Sequence, residues 1–103
     1  MPRFRPRPPS MPRVLFADND FPDIALEREL FARHGVELEV AQCRTEDDVI
    51  QAARGARGVL LQYAPITERV VASLPELGIV SRIGAGYDTV DTAACAKHGV
   101  WVS

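Results

Sequence analysis

The sequence alternates short apolar runs of strand length with longer segments that carry apolar residues at helical spacing. Five runs are predicted as strands: RVLFAD (13–18), VELEVAQ (36–42), GVLLQY (58–63), GIVSRIG (78–84) and VWVS (100–103). Strands that alternate with helices of this length are joined by right-handed crossovers and form a mostly parallel sheet. We therefore expect an α/β fold, a flavodoxin-like parallel sheet of about five strands with helices on both faces.

The second run indicates the order of the strands. Its apolar residues alternate with Glu37 and Glu39, which is typical of a strand with one solvated side and favours a place at the sheet edge. The late fifth run suits the opposite edge, so the pattern fits the strand order 2-1-3-4-5.

The helical segments carry periodic apolar residues and recognisable caps. In the first segment, four residues are predicted to gather on one face: Ile24, Leu26, Leu30 and Phe31. Thr45, followed three residues later by Asp48, predicts a capping box at the start of the second helix. Thr67 is placed to cap the third helix.

Two helix ends repeat one pattern, a basic residue followed by His, Gly and Val. Gly35 and Gly99 suit the left-handed residue just past a helix end. His34 and His98 suit the last turn, where a cation complements the helix C-terminus. This context explains both histidines without a catalytic role.

Composition narrows the functional classes. The net charge is −2, and no cluster of Lys and Arg outside the leader indicates a nucleic-acid surface. No apolar run reaches the roughly 20 residues that span a bilayer, and no signal peptide is recognised, so we expect a cytoplasmic protein. Residues 1–12 form a Pro- and Arg-rich leader that we predict to be disordered. Cys43 and Cys95 lack metal-ligand spacing, so we predict no metal site and two buried thiols.

The candidate site lies where the predicted strands end, because ligands of open parallel sheets bind outside the carboxyl ends. The polar residues predicted at this rim are Asp18, Asn19, Tyr63 and Arg82, beside the turn Gly84-Ala85-Gly86. Asp18 and Asn19 are interpreted as turn and helix-start residues. A phosphoacceptor site like that of receiver domains is not expected, since Tyr63 stands where such domains need Asp.

The segment GAGYDT (84–89) does not fit a dinucleotide fingerprint, because Thr89 stands at the third glycine position and the helix starts only near Asp91. Two interpretations remain open. The backbone N–H groups of the turn could bind an anion with the help of Arg82, or the glycines could serve a tight turn with Arg82 solvated.

From Arg13 to Ser103 the sequence resembles the N-terminal part of the D-isomer-specific 2-hydroxyacid dehydrogenases, most closely their C-terminal-binding-protein branch. The similarity is carried by RIGAGYDTVD (82–91), by the Ile66-Thr67 loop and by the entry into the last strand at Gly99. The resemblance implies that residues 13–103 are part of a substrate-binding domain, and that NAD, or alternatively NADP, is bound mainly by a separate Rossmann domain.

The resemblance also implies roles for the rim residues. In the substrate-binding turn that begins at Gly84, Ala85 and Gly86 would present N–H groups to the carboxylate of a 2-hydroxy or 2-oxo acid, with Arg82 nearby and Tyr63 lining the pocket. Ala85 would also touch the cofactor. The catalytic Arg, Glu and His of the family are expected beyond Ser103, so no catalytic residue is assigned here and the 103-residue chain alone is expected to be inactive.

Three functions remain for comparison. The chain could be the substrate-binding portion of an NAD-dependent dehydrogenase, whose complete form we expect to be a homodimer. It could instead be a peptide-binding module like the C-terminal-binding-protein corepressors, or a truncated product without a function. In each case we expect uncovered apolar surface and self-association of the chain.

Overall fold

The computed structural model describes residues 12–19, 24–83 and 89–103. The strands in these residues are β1 (Arg13–Phe16), β2 (Glu37–Val40), β3 (Gly58–Leu61), β4 (Ile79–Arg82) and β5 (Trp101–Val102). The helices are α1 (Ala25–Arg33), α2 (Glu46–Ala52), α3 (Glu68–Ala72) and α4 (Thr92–Lys97). No helix in these residues is both long and apolar enough to cross a membrane.

The strands form one parallel sheet in the order β2-β1-β3-β4-β5, which confirms the predicted α/β fold and strand order. Each strand is shorter than its predicted run, although residues just beyond the strands, such as Ala17 and Ile83, still donate backbone hydrogen bonds to the neighbouring strand. Asp18 and Tyr63 therefore lie just beyond β1 and β3, at the carboxyl rim of the sheet.

The register assigns side chains to two faces of the sheet. Leu15, Val59, Val80 and Val102 lie side by side in one row, on what we term the core face. Val14, Gly58, Ile79 and Trp101 form the neighbouring row on the opposite side, termed the open face. Side chains alternate along a strand, so the two rows point in opposite directions.

The helices divide unequally between these faces. The chain moves from β1 to β2 in one direction and from β2 through β5 in the other, so right-handed crossovers place α1 on the open face and α2, α3 and α4 on the core face. The main hydrophobic cluster lies between the core face and these three helices. It contains Leu61 of β3, Val49 of α2, Val70 of α3 and Cys95 of α4.

Helix α1 buries less than its sequence predicts. Leu26 is 76% exposed and Leu30 is 53% exposed, and no residue of α1 is fully buried. The prediction that these leucines share one helical face with Ile24 and Phe31 was therefore wrong. Ile24 and Phe31 are half-buried and lie seven residues apart on the inner side, whereas Leu26 and Leu30 lie about 200–240° around the helix from Ile24, toward solvent.

The predicted caps are confirmed. Thr45 accepts a hydrogen bond from the Asp48 N–H, and the Asp48 carboxylate accepts from the Thr45 N–H, forming the capping box of α2. Thr67 caps α3 through the Val70 N–H. Gly35 and Gly99 have φ angles of 73° and 75°, the left-handed conformation expected past α1 and α4.

Candidate functional site at the carboxyl rim

Asp18 holds the loop that follows β3. Its carboxylate accepts hydrogen bonds from the backbone N–H groups of Gln62, Tyr63 and Ala64, at 3.0, 2.8 and 3.1 Å. Asp18 itself is buried, and α1 starts only at Ala25 after an N-cap at Ile24 that makes no side-chain cap. The interpretation of Asp18 as a helix-start residue was therefore wrong, since its carboxylate fixes a loop of the neighbouring strand.

The same loop continues into contacts with the segment that follows the glycine turn. Ile66 pairs with Val90 in an isolated parallel bridge, through bonds from the Ile66 N–H to the Thr89 carbonyl and from the Asp91 N–H to the Ile66 carbonyl. On the other side of the turn, the Ile83 N–H donates to the Leu61 carbonyl at 2.7 Å. Both ends of segment 84–88 are thus attached to β3 and its loop.

Two of the predicted site residues lie at this rim. Arg82 is the last residue of β4 and is paired in register with Leu61, the last residue of β3. Tyr63 lies two residues after Leu61, just beyond the end of β3. Both side chains are exposed at the rim, Tyr63 by 54%. The other three predicted site residues, Gly84, Ala85 and Gly86, lie outside the described residues, as does the leader up to residue 11.

The start of α4 does not fit a nucleotide pyrophosphate. The Asp91 carboxylate accepts the Ala94 N–H at 2.9 Å and so places a negative charge at the helix N-terminus, where a dinucleotide fold would place its phosphates. Asp91 is thus the N-cap of α4. No step that uses the cofactor is assigned to the described residues.

A pocket of about 360 Å³ opens at the rim between the ends of β1, β2 and β3. Gln42 is fixed in its wall, donating to the Asn19 carbonyl at 3.0 Å. Cys43 also lines the pocket, and its thiol pKa is raised by burial and by the nearby charges of Asp48 and Asp18. A thiol with a raised pKa is a poor nucleophile at neutral pH, so the pocket is suited to binding rather than covalent chemistry.

Neither cysteine forms a disulfide, and both are buried as predicted. Burial and the charge of Asp91 raise the pKa of the Cys95 thiol as well. Within residues 12–19, 24–83 and 89–103, no three His, Cys, Asp or Glu side chains are arranged to hold a metal ion.

Comparison with known protein families shows to which family the chain belongs. Residues 14–103 match the family model described as D-isomer specific 2-hydroxyacid dehydrogenase, catalytic domain. The chain belongs to this family. The expectation drawn from RIGAGYDTVD is thereby confirmed at the level of the family.

Individual dehydrogenases are similar to this chain in sequence and in fold. A Schizosaccharomyces pombe protein assigned as a 2-hydroxyacid dehydrogenase is 31% identical over 65 residues, which are 62% of this chain and 20% of that protein. The NAD+-bound 3-phosphoglycerate dehydrogenase of Entamoeba histolytica has a TM-score of 0.77 and 29% identity, and the match covers 90% of this chain and 32% of that one. A D-isomer specific 2-hydroxyacid dehydrogenase of Polaromonas sp. has a TM-score of 0.73, 28% identity and coverages of 89% and 29%.

The chain therefore spans about a fifth of the curated dehydrogenase and about a third of the two solved ones. In this dehydrogenase domain both histidines are helix C-caps that lead into the amino ends of β2 and β5, whereas Tyr63 and Arg82 lie at the carboxyl ends of β3 and β4. His98 also contacts Glu68, at 2.7 Å between Nε2 and Oε2, which joins α4 to α3. This pair explains His98 structurally.

Sequence reasoning missed two features of the rim. The first is the set of hydrogen bonds from the N–H groups of residues 62–64 to Asp18, termed the Asp18 brace. The local sequence gives no signal of it, because the partners of Asp18 lie 44 to 46 positions away. The Thr89 hydroxyl is buried without a hydrogen-bond partner within the described part of the chain, immediately after segment 84–88. In the sequence Thr89 was considered only as a failed third glycine.

Proposed function

We propose that this chain is the substrate-binding portion of an NAD-dependent oxidoreductase that acts on the CH–OH group of D-2-hydroxy acids. In this proposal Arg82 and the backbone N–H groups of Ala85 and Gly86, in the turn that begins at Gly84, bind the carboxylate of a 2-hydroxy or 2-oxo acid. Tyr63 lines the pocket beside it. The reaction in the reductive direction converts a 2-oxo acid to its D-2-hydroxy acid.

The observation that carries the proposal is the attachment of segment 84–88 at both ends. Ile83 is bonded to Leu61 before the turn, and Thr89 and Asp91 are bonded to Ile66 after it. Because Ile83 and Thr89 are held by these bonds, the residues that flank the turn need no reordering when an anion binds beside them, which favours binding. Because Arg82 ends β4 directly before this segment, its guanidinium can add a charge-assisted bond to the same carboxylate.

The loop that carries Tyr63 is equally fixed, since three of its N–H groups are bound by Asp18. Tyr63 is therefore held at a constant place on the rim, next to the strand that ends in Arg82. The pocket between β1, β2 and β3 continues from Tyr63 along the rim and offers room for the remainder of the acid.

We assign hydride transfer, the nicotinamide site and the acid–base residues to the part of the dehydrogenases that this chain does not span. Ala85 is proposed to touch the cofactor from the substrate side. The expected outcome is that the 103-residue chain binds a 2-oxo acid but does not reduce NAD+ with D-lactate. Absorbance of NADH measures this directly, and turnover would contradict the assignment of catalysis to another part.

The test of the binding site is a titration of the 103-residue chain with pyruvate, followed by ¹H–¹⁵N chemical shifts. Shifts are expected for residues that flank the turn, such as Ile83 and Thr89. Arg82→Ala is expected to weaken binding about tenfold or more, because a hydrogen bond to a charged group contributes roughly 1.5–3 kcal/mol. Pyruvamide, which lacks the charge, is expected to bind far more weakly than pyruvate.

Arg57→Ala is the matched control, since Arg57 is an exposed arginine at the amino end of β3, far along the strand from the rim. An equal loss in both variants would indicate attraction by overall charge and would contradict a carboxylate site at the turn. Equal affinities for pyruvate and pyruvamide would also contradict a carboxylate site at the turn.

A second candidate function, a peptide-binding module, is favoured by a groove at the β2 edge of the sheet. A groove of about 530 Å³ runs between α1 and the edge strand β2, with Ala32, Val36, Leu38 and Val40 in its wall. An extended peptide could add to this edge as a further strand, with alternate side chains in the groove. Glu37 in the groove wall favours a peptide with a basic residue, whereas the Glu39 carboxylate is bonded to Arg13 of β1.

Val40→Lys separates the two candidates, because Val40 lines the groove and does not line the rim pocket. If peptide binding is the function, this variant loses affinity for a basic extended peptide in fluorescence anisotropy and keeps its pyruvate titration. Binding of the peptide with unchanged affinity would remove the groove from consideration.

A further inference from the structure

An unsatisfied hydroxyl lies directly after the glycine turn. The hydroxyl oxygen of Thr89 is buried and has no hydrogen-bond partner among the residues that the structure describes. Thr89 follows segment 84–88 immediately, whereas Arg82 and Ile83 precede it. A buried polar group without a partner destabilises a folded chain, so such groups are rare and each needs an explanation. The position of this hydroxyl connects it with the site proposed for the acid.

The backbone of Thr89 is held in place. Its carbonyl accepts the Ile66 N–H at 3.0 Å, and the Asp91 N–H donates to the Ile66 carbonyl at 2.8 Å. These two bonds form the parallel bridge between Ile66 and Val90, whose side chains are both buried in the main hydrophobic cluster. The hydroxyl is therefore attached to a fixed part of the main chain, at a constant distance from the end of the turn.

The hydroxyl does not belong to the hydrophobic cluster. Consecutive side chains of an extended segment point in opposite directions, and Val90 points into the cluster, so Thr89 points away from it. Thr67, at the other partner of the bridge, provides a contrast. Its hydroxyl accepts the Val70 N–H and donates to the Glu46 carboxylate, so it is satisfied within the chain. Of these two threonines, Thr89 is the one with a donor still to use.

A buried water fits this place poorly. Such a water usually makes about three hydrogen bonds to otherwise unsatisfied groups. In the bridge, the N–H groups of Ile66 and Asp91 and the carbonyls of Thr89 and Ile66 are already bonded to one another. A ligand atom that needs a single donor therefore matches the Thr89 hydroxyl better than a water does.

We propose that the Thr89 hydroxyl is a further substrate-binding group, which donates a hydrogen bond to a carboxylate oxygen of the bound 2-hydroxy or 2-oxo acid. This inference rests on the proposed function, because it requires an acid bound at the turn. Carboxylate oxygens only accept hydrogen bonds, and a threonine hydroxyl can donate one, which is then charge-assisted. Thr89 binds the carboxylate from the end of the turn, and Arg82 binds it from the beginning.

The hydroxyl is suited to this role because it is already out of water in the free chain. An acid that binds beside it supplies the missing partner and removes no water from the hydroxyl, so binding gains a full hydrogen bond. Loss of the hydroxyl is therefore expected to act in opposite directions on the two states. It weakens the complex with the acid, and it relieves the free chain of an unsatisfied group.

The test is Thr89→Val in the 103-residue chain, since valine has the shape of threonine without the hydroxyl. Affinity for pyruvate, measured by ¹H–¹⁵N chemical shifts, is expected to fall about tenfold, the effect of losing a hydrogen bond to a charged group. The urea midpoint of the free chain is expected to stay the same or to rise. Thr89→Ser keeps the hydroxyl and is expected to retain most of the affinity.

Thr67→Val is the matched control, because it removes a hydroxyl that has partners within the chain. The expected pattern is the reverse: a lower urea midpoint and an unchanged affinity for pyruvate. Pyruvamide provides a second comparison. Thr89→Val is expected to weaken its binding less than that of pyruvate, because the bond to a neutral amide is not charge-assisted.

Three results would overturn the inference. If Thr89→Val binds pyruvate as tightly as the parent while Arg82→Ala binds it weakly, Thr89 is not part of the site and the proposed function still stands. If the urea midpoint of Thr89→Val falls as it does in Thr67→Val, the hydroxyl has a structural partner in the free chain. If the parent itself does not bind pyruvate, the proposed function fails and the inference fails with it.

Discussion

The core face and the open face of the sheet carry similar side chains and differ in what covers them. Leu61 and Leu60 are adjacent in β3, yet Leu61 lies beneath α2–α4 with no exposed surface while Leu60, on the opposite side, is only half-buried. The helices follow the same division. Those on the core face have side-chain caps and cross-links, whereas α1 has neither a capping side chain nor a buried residue.

This difference separates the stability of the domain from its capacity to bind. The core face supplies the packing that fixes the strands, and through them the rim. The open face contributes less to folding and leaves apolar surface, including Trp101, available for contact with another molecule. Substitutions on the two faces are therefore expected to have different consequences.

The largest contrast is expected between neighbouring leucines of β3. Leu61→Ala is expected to lower the free energy of unfolding by about 3 kcal/mol, because it leaves a cavity in a close-packed core. Leu60→Ala removes the same atoms from the open face and is expected to cost less than about 1 kcal/mol, because that side chain keeps contact with solvent. Urea unfolding at low protein concentration measures both, and equal losses would mean that the open face is covered.

The buried arginine at the start of β1 gives the next largest effect. The Arg13 guanidinium, on the core face, bonds to the Glu39 carboxylate of β2 and to the carbonyls of Ala52 and Arg54 at the end of α2. Arg13→Leu is expected to lower the free energy of unfolding by about 2 kcal/mol, because buried acceptors lose their donor.

The control for Arg13 is Arg33→Leu on α1, where Arg33 pairs with Glu29 but both side chains are more than half exposed. An exposed ion pair of this kind contributes about 0.3–0.5 kcal/mol. Thermal unfolding followed by circular dichroism compares the two, and the prediction fails if the melting temperatures fall equally.

Capping of α2 is expected to contribute a smaller amount. Thr45→Ala removes the hydroxyl that accepts the Asp48 N–H and is expected to lower the free energy of unfolding by about 1 kcal/mol. Thr92→Ala, at an exposed first position of α4 whose cap is Asp91, is expected to have almost no effect. A Thr45→Ala variant as stable as the parent in urea would show that the capping box is not needed once α2 is packed.

The smallest effect concerns the link between α3 and α4 and depends on pH. The hydrogen bond from His98 holds the pKa of Glu68 below its usual value of 4.5, with a further contribution from Lys97. Because the pKa is depressed in the folded state, the stabilisation is present above pH 4.5 and disappears as the pH falls through the folded-state value. Glu68→Gln is expected to lower the urea midpoint slightly at neutral pH and not at low pH.

Glu29→Gln on α1 provides the comparison for Glu68, since it removes an exposed carboxylate from a pair within one helix. We expect little change in its urea midpoint at either pH. If the Glu68→Gln variant shows the same difference from the parent at both pH values, the loss is one of packing rather than charge.

The sequence predicted the strands, their order and most caps because these depend on local patterns. Alternation within VELEVAQ is sufficient to indicate the β2 edge, and Thr45 with Asp48 is sufficient for a capping box. The exposure of Leu26 and Leu30 also follows from local spacing, which the prediction applied wrongly. At about 100° per residue, both leucines lie on the opposite side of α1 from Ile24 and Phe31.

The candidate site was predicted in part. The positions of Tyr63 and Arg82 at one rim follow from strand order, because the ends of neighbouring parallel strands lie together. The Asp18 brace to residues 62–64 does not follow from strand order, since the sequence Asp18-Asn19-Asp20 resembles an ordinary turn. Its detection requires knowing that β1 and β3 are neighbours, which is a property of the whole sheet.

The Asp18 brace also has an evolutionary consequence. The carboxylate accepts hydrogen bonds from main-chain N–H groups, so the positions of residues 62, 63 and 64 do not depend on which side chains they carry. Substitutions there can alter the shape and polarity of the pocket while the loop stays in place. Proline, which has no N–H to donate, is the exception. The loop can thus vary in sequence without a change in its backbone.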